Sequence, residues 1–598
     1  MQIESLNLAN LHIGCIKLLA GQVVKDLQPR SLTIQARLMK HGIDSSSWSS
    51  NTKRVANLSM NKANVVIRNA AVYTVDGANP VASAVAIQGK QIVFVGDDTG
   101  VQQFIGDMTR VIDGQRQTLL PGLIDAHYHL LWGSVTLYGA QLYKVDSLEA
   151  LSMALREWAD ENPDAPFVIG EGMTYSVPDH ATPLTRHHLD AIIQDRPIVL
   201  TAYDQHSCFA NTMALEAAGI LHGAQEPMLN GEVVMGNDGL ATGELYEMDA
   251  MAAIKSALPE PTFEQQIESL KQGLALAASY GITSVHNMDG DVEQAAFYAH
   301  LENEDELTLR VYIPFWVKPE MDEATMVEQV SIMRERYSRD MVRSGAVKFF
   351  IDGVYELQTA VSVNGFADKP AEFGEPIWSA KRFAQFATRA DSMGLQIAVH
   401  ACGDGGVRRV LDGYEAVQQA NGVRDSRHRI EHIELIQMED VPRFAELGVV
   451  ASMQPLHSPV GEYSPDVWLS RVRPEEYERA FAWRTLRDAG AKMAFGSDWP
   501  VVTCDPYLSM WAALCRKPGQ PGRNPHTQTL EETIRAYTTD AAWTEFQEDV
   551  KGQIKVGMLA DLVLLSEDIF AIDPENLKDV SAEITICNGR IVFDRNTT

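Results

Sequence analysis

The sequence predicts an α/β protein: a (β/α)8, TIM-like barrel with a small β-sandwich made from both chain ends. Three observations predict it. Short apolar strands alternate with long helical stretches through the middle of the chain. Both ends have a different texture, of Val/Ile/Thr-rich strands between Gly, Asn and Asp turns. Five segments then place metal-binding or proton-transferring side chains at strand ends: Asp125-Ala-His127-Tyr-His129, Val347-Lys348, Val399-His400, Glu431-His432 and Gly496-Ser497-Asp498.

The chain has 598 residues, room for one large barrel with additions. A net charge of -30 argues against nucleic acid or an anionic membrane as partner, because both are polyanions. The six cysteines form no CxxC pair, so a disulfide scaffold is not expected and a reducing, cytoplasmic home is. No apolar run reaches spanning length. Residues 1–60 carry seven Lys/Arg against three Asp/Glu, and no basic stretch precedes their apolar part. They make a poor signal peptide and read as a poorly ordered extension or a weak targeting segment.

Residues 61–118 and 551–598 are assigned to the sandwich. They contain runs such as Asn64 to Arg68, Gln91 to Val95, Ala560 to Leu565 and Arg590 to Phe593. Residues 119–550 are assigned to the barrel, with an insertion at 211–279 that could cover the strand tops. Eight strands are expected: Leu119 to Asp125, Pro197 to Ala202, Thr283 to His286, Ala346 to Ile351, Gln396 to His400, His428 to Ile433, Gly448 to Met453 and Lys492 to Gly496. Helices such as Thr262 to Tyr280 and Ala380 to Gly394 lie between them. A doubly wound sheet is disfavoured, since no Gly-rich phosphate turn follows the first strand. In a barrel the chemistry gathers at the C-terminal strand ends, where all five segments lie.

His127 and His129 are two apart, so period-2 geometry puts both imidazoles on one face, able to chelate one ion. Lys348 interrupts an apolar run and needs a partner if buried. Asp352 or Glu356 could pair with it; alternatively, carbamylation would turn it into a carboxylate able to bridge two metals. His400 and His432 end successive strands and suit a second ion, with Asp404 and Glu434 placed to orient their rings. Asp498 ends the last strand, where a carboxylate can bind metal, take a proton from water and return it to a departing amine.

With these segments in this order the chain resembles the amidohydrolase superfamily. His400-Ala-Cys-Gly-Asp404, Arg427 to His432, Ala451 to Pro455 and Val556 to Leu564 resemble its amidohydrolase 3 branch, which includes N-substituted formamide deformylases. The resemblance implies a zinc-dependent hydrolase of carbon–nitrogen bonds other than peptide bonds. It implies two ions: His127, His129 and Asp498 on one, His400 and His432 on the other, and Lys348, N6-carboxylated, between them. Asp498, Lys348 and His432 would carry the catalysis. Asp204, His206 and Asn211 resemble a substrate-facing motif of the branch, and Tyr355 and Trp499 are candidates for the pocket wall.

The expected reaction is attack on a small N-substituted amide by hydroxide generated at the metal, with Asp498 as general base and acid. Carbamates, esters or cyclic amides are the alternative substrates, and a non-catalytic small-molecule binder is the alternative outside enzymes. The run Asp352-Gly-Val-Tyr-Glu-Leu-Gln358 is bulkier and more acidic than the branch pattern, so specificity does not transfer. Homo-oligomerisation is left open by the sequence.

Overall fold

Eight parallel strands form a nearly closed barrel in the computed structural model. It describes residues 62–597 except 176, 179–181, 204–206, 225–227, 229–230, 460–465 and 518–524. The expected extension at 1–60 lies outside the described residues.

The barrel strands, in chain and spatial order, are β1 (Leu123–Tyr128), β2 (Ile282–Asn287), β3 (Arg310–Trp316), β4 (Val342–Phe350), β5 (Gln396–Ala401), β6 (Arg429–His432), β7 (Val450–Met453) and β8 (Lys492–Phe495). They are largely buried, as strands covered on both faces must be, with Trp316 and Lys492 exposed at strand ends. The seam between β8 and β1 is closed by loop backbone. The Asp498 N–H donates to the His127 carbonyl at 2.7 Å, and the His129 N–H donates to the Trp499 carbonyl at 3.0 Å.

Two expectations are corrected. Ile198–Ala202 is not a barrel strand; Arg310–Trp316 is. Pro314 hides β3 in the sequence, because proline inside a run argues against a central strand. The ladder to β4 shifts register between Ile313 and Phe315, so the missing N–H falls at an irregularity. The expected strand Leu119 to Asp125 is also two strands. Thr118–Pro121 joins the sandwich and Leu123–Tyr128 the barrel, with Gly122 between them. A β-carbon at Gly122 would sit 2.2 Å from Thr283 Oγ1, so the crossing from one sheet to the other requires glycine.

The excursion from the barrel is larger than 211–279 and lies between β1 and β2. Ala140–Gln141, Val168–Met173, Ile198–Ala202, Ser207–Ala210, Glu232–Met235 and Ala241–Tyr246 make a separate six-stranded sheet. The helix Phe263–Ser279, which packs on the helix Leu130–Thr136, then returns the chain to β2.

Both ends build the sandwich. One sheet holds Val65–Arg68, Ala84–Gln88, Gln91–Gly96 and Arg110–Asp113. The other pairs Ala71–Tyr73, Val81–Ala82 and Thr118–Pro121 with Leu562–Leu565, Ala582–Cys587 and Arg590–Asp594. Val65, Ile67, Val85, Ile87, Leu562, Leu564, Ile584 and Ile586 share its core.

One buried ion pair fastens sandwich to barrel. Arg310, at the start of β3, donates from Nε to Asp561 Oδ2 at 2.7 Å and from Nη2 to Asp561 Oδ1 at 3.2 Å. Both side chains are more than nine-tenths buried. Burial opposes the arginine's charge, but Asp561 outweighs it and raises the guanidinium's pKa. Removing one partner strands the other charge out of water. Asp561→Ala is therefore expected to lower unfolding free energy by about 3–5 kcal/mol, read as a shifted urea midpoint.

Candidate metal centre

The strand ends bring His127, His129, His432 and Asp498 together. One ligand atom each from His127, His432 and Asp498 lie within 4.8 Å of one another. Asp498 Oδ1 is 2.9 Å from His129 Nε2 and 3.2 Å from His127 Nε2. Asp498 Oδ2 is 3.8 Å from His432 Nδ1. His400 and His432 have ring centroids 4.5 Å apart. Phe350 stacks on His400, and the Lys348 ammonium lies 4.8 Å from the centroid of the same Phe350 ring.

Local backbone strain aims these groups. His432, Ile433 and Asp498 have φ of 74°, 52° and 64°, the left-handed region that non-glycine residues rarely enter. Each such residue costs about 1–3 kcal/mol and persists where its surroundings over-determine it. Beneath the histidines, the Asp125 carboxylate accepts from the His127 N–H at 3.1 Å and the Ser497 N–H at 3.0 Å, stapling β1 to the turn after β8. Burial raises its pKa to about 7. A β-carbon on Gly496 would lie 2.4 Å from the His127 nitrogen, so only glycine permits this approach.

The outer ring nitrogens are all held. His127 Nδ1 lies 2.7 Å from Glu431 Oε2, and His129 Nδ1 lies 2.7 Å from Asp289 Oδ1. With the protons on Nδ1, both Nε2 atoms present lone pairs to a carboxylate oxygen. Three acceptors then face one another inside the protein, and only a proton or a metal ion between them makes that stable. Burial works against charge on His129, yet Asp289 and Asp498 outweigh it and raise its pKa to about 9. Burial would raise Asp498 as well, but His127, His129 and His432 hold it well below the usual carboxylate range. The donor set of imidazole and carboxylate fits a divalent cation in the proton's place.

Lys348 Nζ is fully buried and makes no hydrogen bond. Burial lowers its pKa to about 8, against the pull of Glu431 and Asp498. Neither carboxylate considered as its partner bonds to it, and Asp352 accepts instead from the N–H groups of Val361, Cys402 and Gly403. His400 is kept neutral by burial, with its pKa near 3. The His432 pKa is also far below the ordinary value, first through burial and then through His400.

The expected orienting residues are replaced by others. Asp404 accepts from the Val363 N–H, Gln437 and Arg479, and Glu434 accepts from the Trp468 indole; the rings are held elsewhere. His432 Nδ1 meets Gln454 Oε1 at 2.9 Å, and His400 Nε2 meets the Gly353 carbonyl at 3.2 Å. Asp289, Gln454, Glu431 and Arg429 were missed in the sequence. Arg429, fully buried, contacts both Glu431 oxygens, Ser452 Oγ, the Ala126 carbonyl and His286 Nδ1. Two opposite charges two apart on a buried strand were the available signal for Arg429 and Glu431.

The expected substrate-side residues divide. Asp204 and His206 lie outside the described residues. Asn211 instead caps the helix Thr212–Ala217: its side chain accepts from the N–H groups of Ile198 and Ala214 and donates to the Arg196 carbonyl. Tyr355 is buried against Phe366 and Trp468. Trp499 packs on Tyr128 at the barrel seam, beside the centre.

A parallel barrel with a two-ended β domain and a buried His/His/Asp cluster at the strand ends defines a hydrolase of the amidohydrolase superfamily. A model of amidohydrolase family 3 matches residues 110–593, and the chain belongs to that family. It is 29% identical over 504 residues to the putative amidohydrolase YtcJ of Bacillus subtilis, covering 80% of this chain and 89% of that one. It is 26% identical over 548 residues to the N-substituted formamide deformylase of Arthrobacter pascens, covering 89% and 98%. Protein LONG AFTER FAR-RED 3 of Arabidopsis thaliana is 27% identical over 549 residues, covering 89% and 92%. An uncharacterized metal-dependent hydrolase from Pyrococcus furiosus has the same fold, with a TM-score of 0.67 and 24% identity over 86% of this chain and 99% of that chain. No helix among the described residues is long and apolar enough to cross a membrane.

The carboxylates on the outer nitrogens set ring orientation and basicity. Glu431→Gln is expected to weaken divalent-metal affinity by about 10- to 100-fold, measured by competition with a chromogenic chelator.

Proposed function

We propose that this chain is a metal-dependent hydrolase that cleaves the carbon–nitrogen bond of a small N-substituted amide, other than a peptide, into an acid and an amine. The observation that carries the reading is the meeting of Asp498 Oδ1 with two histidine Nε2 atoms whose opposite nitrogens are tied to carboxylates. That arrangement suits positive charge, a proton or a cation, at the place where the family resemblance puts a metal. The choice of an amide rests on family membership and on the similarity to a formamide deformylase over nearly its whole length.

His127, His129 and Asp498 would hold one ion and His400 and His432 a second, with Lys348 between them as an N6-carboxylated residue. Zinc suits the donor set. Such an ion supplies an acidified water, with a pKa near ~7 in favourable sites, and polarises the carbonyl. The chain's own part is positional and protonic. Asp498 takes the water's proton and returns it to the departing nitrogen, so the amine leaves neutral. Burial keeps His400 and His432 unprotonated, with lone pairs available. The unpartnered, buried Lys348 Nζ is the strongest sign that a further group belongs beside it.

Incubation with a panel of N-substituted amides should release free amine. Chelator treatment should abolish release and added zinc restore it; full activity in metal-free protein would end the reading. Asp498→Asn should lower kcat by about 10²- to 10⁴-fold with an unchanged circular dichroism spectrum. Lys348→Ala should lower the metal bound per chain by elemental analysis. Two ions retained in that variant would remove the lysine from its bridging place.

A further inference from the structure

The expected ligands come from β1, β4, β5, β6 and the end of β8, and β7 contributes none of them. Yet the turn after β7 faces the same centre. Gln454, Pro455, Leu456 and His457 form a single 3-10 turn there, with the His457 N–H donating to the Gln454 carbonyl at 3.1 Å. In such a turn residues three apart lie one above the other. Gln454 holds His432, and His457 therefore points the same way. Its ring is nearly parallel to that of His432, 5.8 Å away at 10°. Its Nε2 lies 3.7 Å from Asp498 Oδ2, beyond hydrogen-bond length. That nitrogen is buried and has no hydrogen-bond partner.

The turn is held rigidly. Leu456 packs on Leu508 and Ala512, and Ser458 Oγ donates back to the Pro455 carbonyl at 2.6 Å. A packed turn that holds an imidazole nitrogen without a hydrogen bond beside the Asp498 carboxylate leaves that nitrogen for a bound molecule.

We propose that His457 is a substrate-contacting residue, whose Nε2–H donates a hydrogen bond to the oxygen of the scissile carbonyl as it gains negative charge. The assignment rests on the amidohydrolase reading above. It gives that reaction an oxyanion donor from the protein, beside His432 and Asp498.

The test uses the metal-loaded full chain and the His457→Ala and His457→Gln variants. Binding of methylphosphonate, a tetrahedral anion, is measured by calorimetry beside kcat and KM on the amide that turns over. His457→Ala should bind methylphosphonate roughly tenfold more weakly. It should lose about 100-fold in kcat, with little change in KM, in metal per chain or in melting temperature. His457→Gln, which keeps an N–H donor, should recover part of both losses. Equal methylphosphonate binding by wild type and His457→Ala, including none by either, would overturn the proposal even if no amide turns over. So would loss of one metal equivalent in His457→Ala, which would make the residue a ligand. If wild type releases no amine yet His457→Ala still binds the anion more weakly, the amide reading fails and the His457 contact stands.

Discussion

Two imidazoles and a carboxylate held face to face are the constraint on which this structure turns. Asp498 Oδ1, His127 Nε2 and His129 Nε2 come from opposite sides of the barrel seam and converge. Nothing in a dry interior favours that arrangement without positive charge in its midst. The surroundings enforce it. Glu431 and Asp289 fix the ring nitrogens, the Asp125 carboxylate ties β1 to the turn after β8, and left-handed backbone at His432 and Asp498 aims the side chains. The fold holds these groups around a place for positive charge.

Support for the centre reaches far below the strand ends. Glu431 meets Arg429, and Arg429 reaches His286. His286 lies 3.3 Å from Glu545, which pairs with Lys551. Five fully or nearly fully buried polar side chains thus run down the barrel interior, where layers of branched aliphatic residues are the usual filling. The ion pairs and hydrogen bonds along it let each residue constrain its neighbours, although His286 Nε2 and Glu545 Oε1 meet outside hydrogen-bond geometry. Rigidity at the histidines is built from the middle of the barrel outward.

Much of the barrel was legible in the sequence because its buried parallel strands read as apolar runs, and the chemistry stood out as interruptions of them. His127 and His129 at period two, Lys348 inside Ala346 to Ile351, and Asp498 after Phe495 are all of that kind. The third barrel strand was not legible, because Pro314 and Arg310 contradict a central strand until the register shift and Asp561 are known. Ile198–Ala202 misled for the opposite reason: it is as apolar as a barrel strand but belongs to the excursion. Asp289 and Gln454 gave no local signal at all, since polar residues past a strand end are ordinary. Asn211 read as substrate-facing by motif, whereas its hydrogen bonds go to backbone.

The shared sandwich sheet has a consequence for biosynthesis. Thr118–Pro121 pairs with Leu562–Leu565, so a strand made early must await a neighbour translated about 440 residues later. At ordinary ribosomal speeds of about 5–20 residues per second, that delay is roughly 20 to 90 seconds. Through that interval an apolar edge has no mate, and the nascent chain must be shielded from its own kind until the last strands emerge.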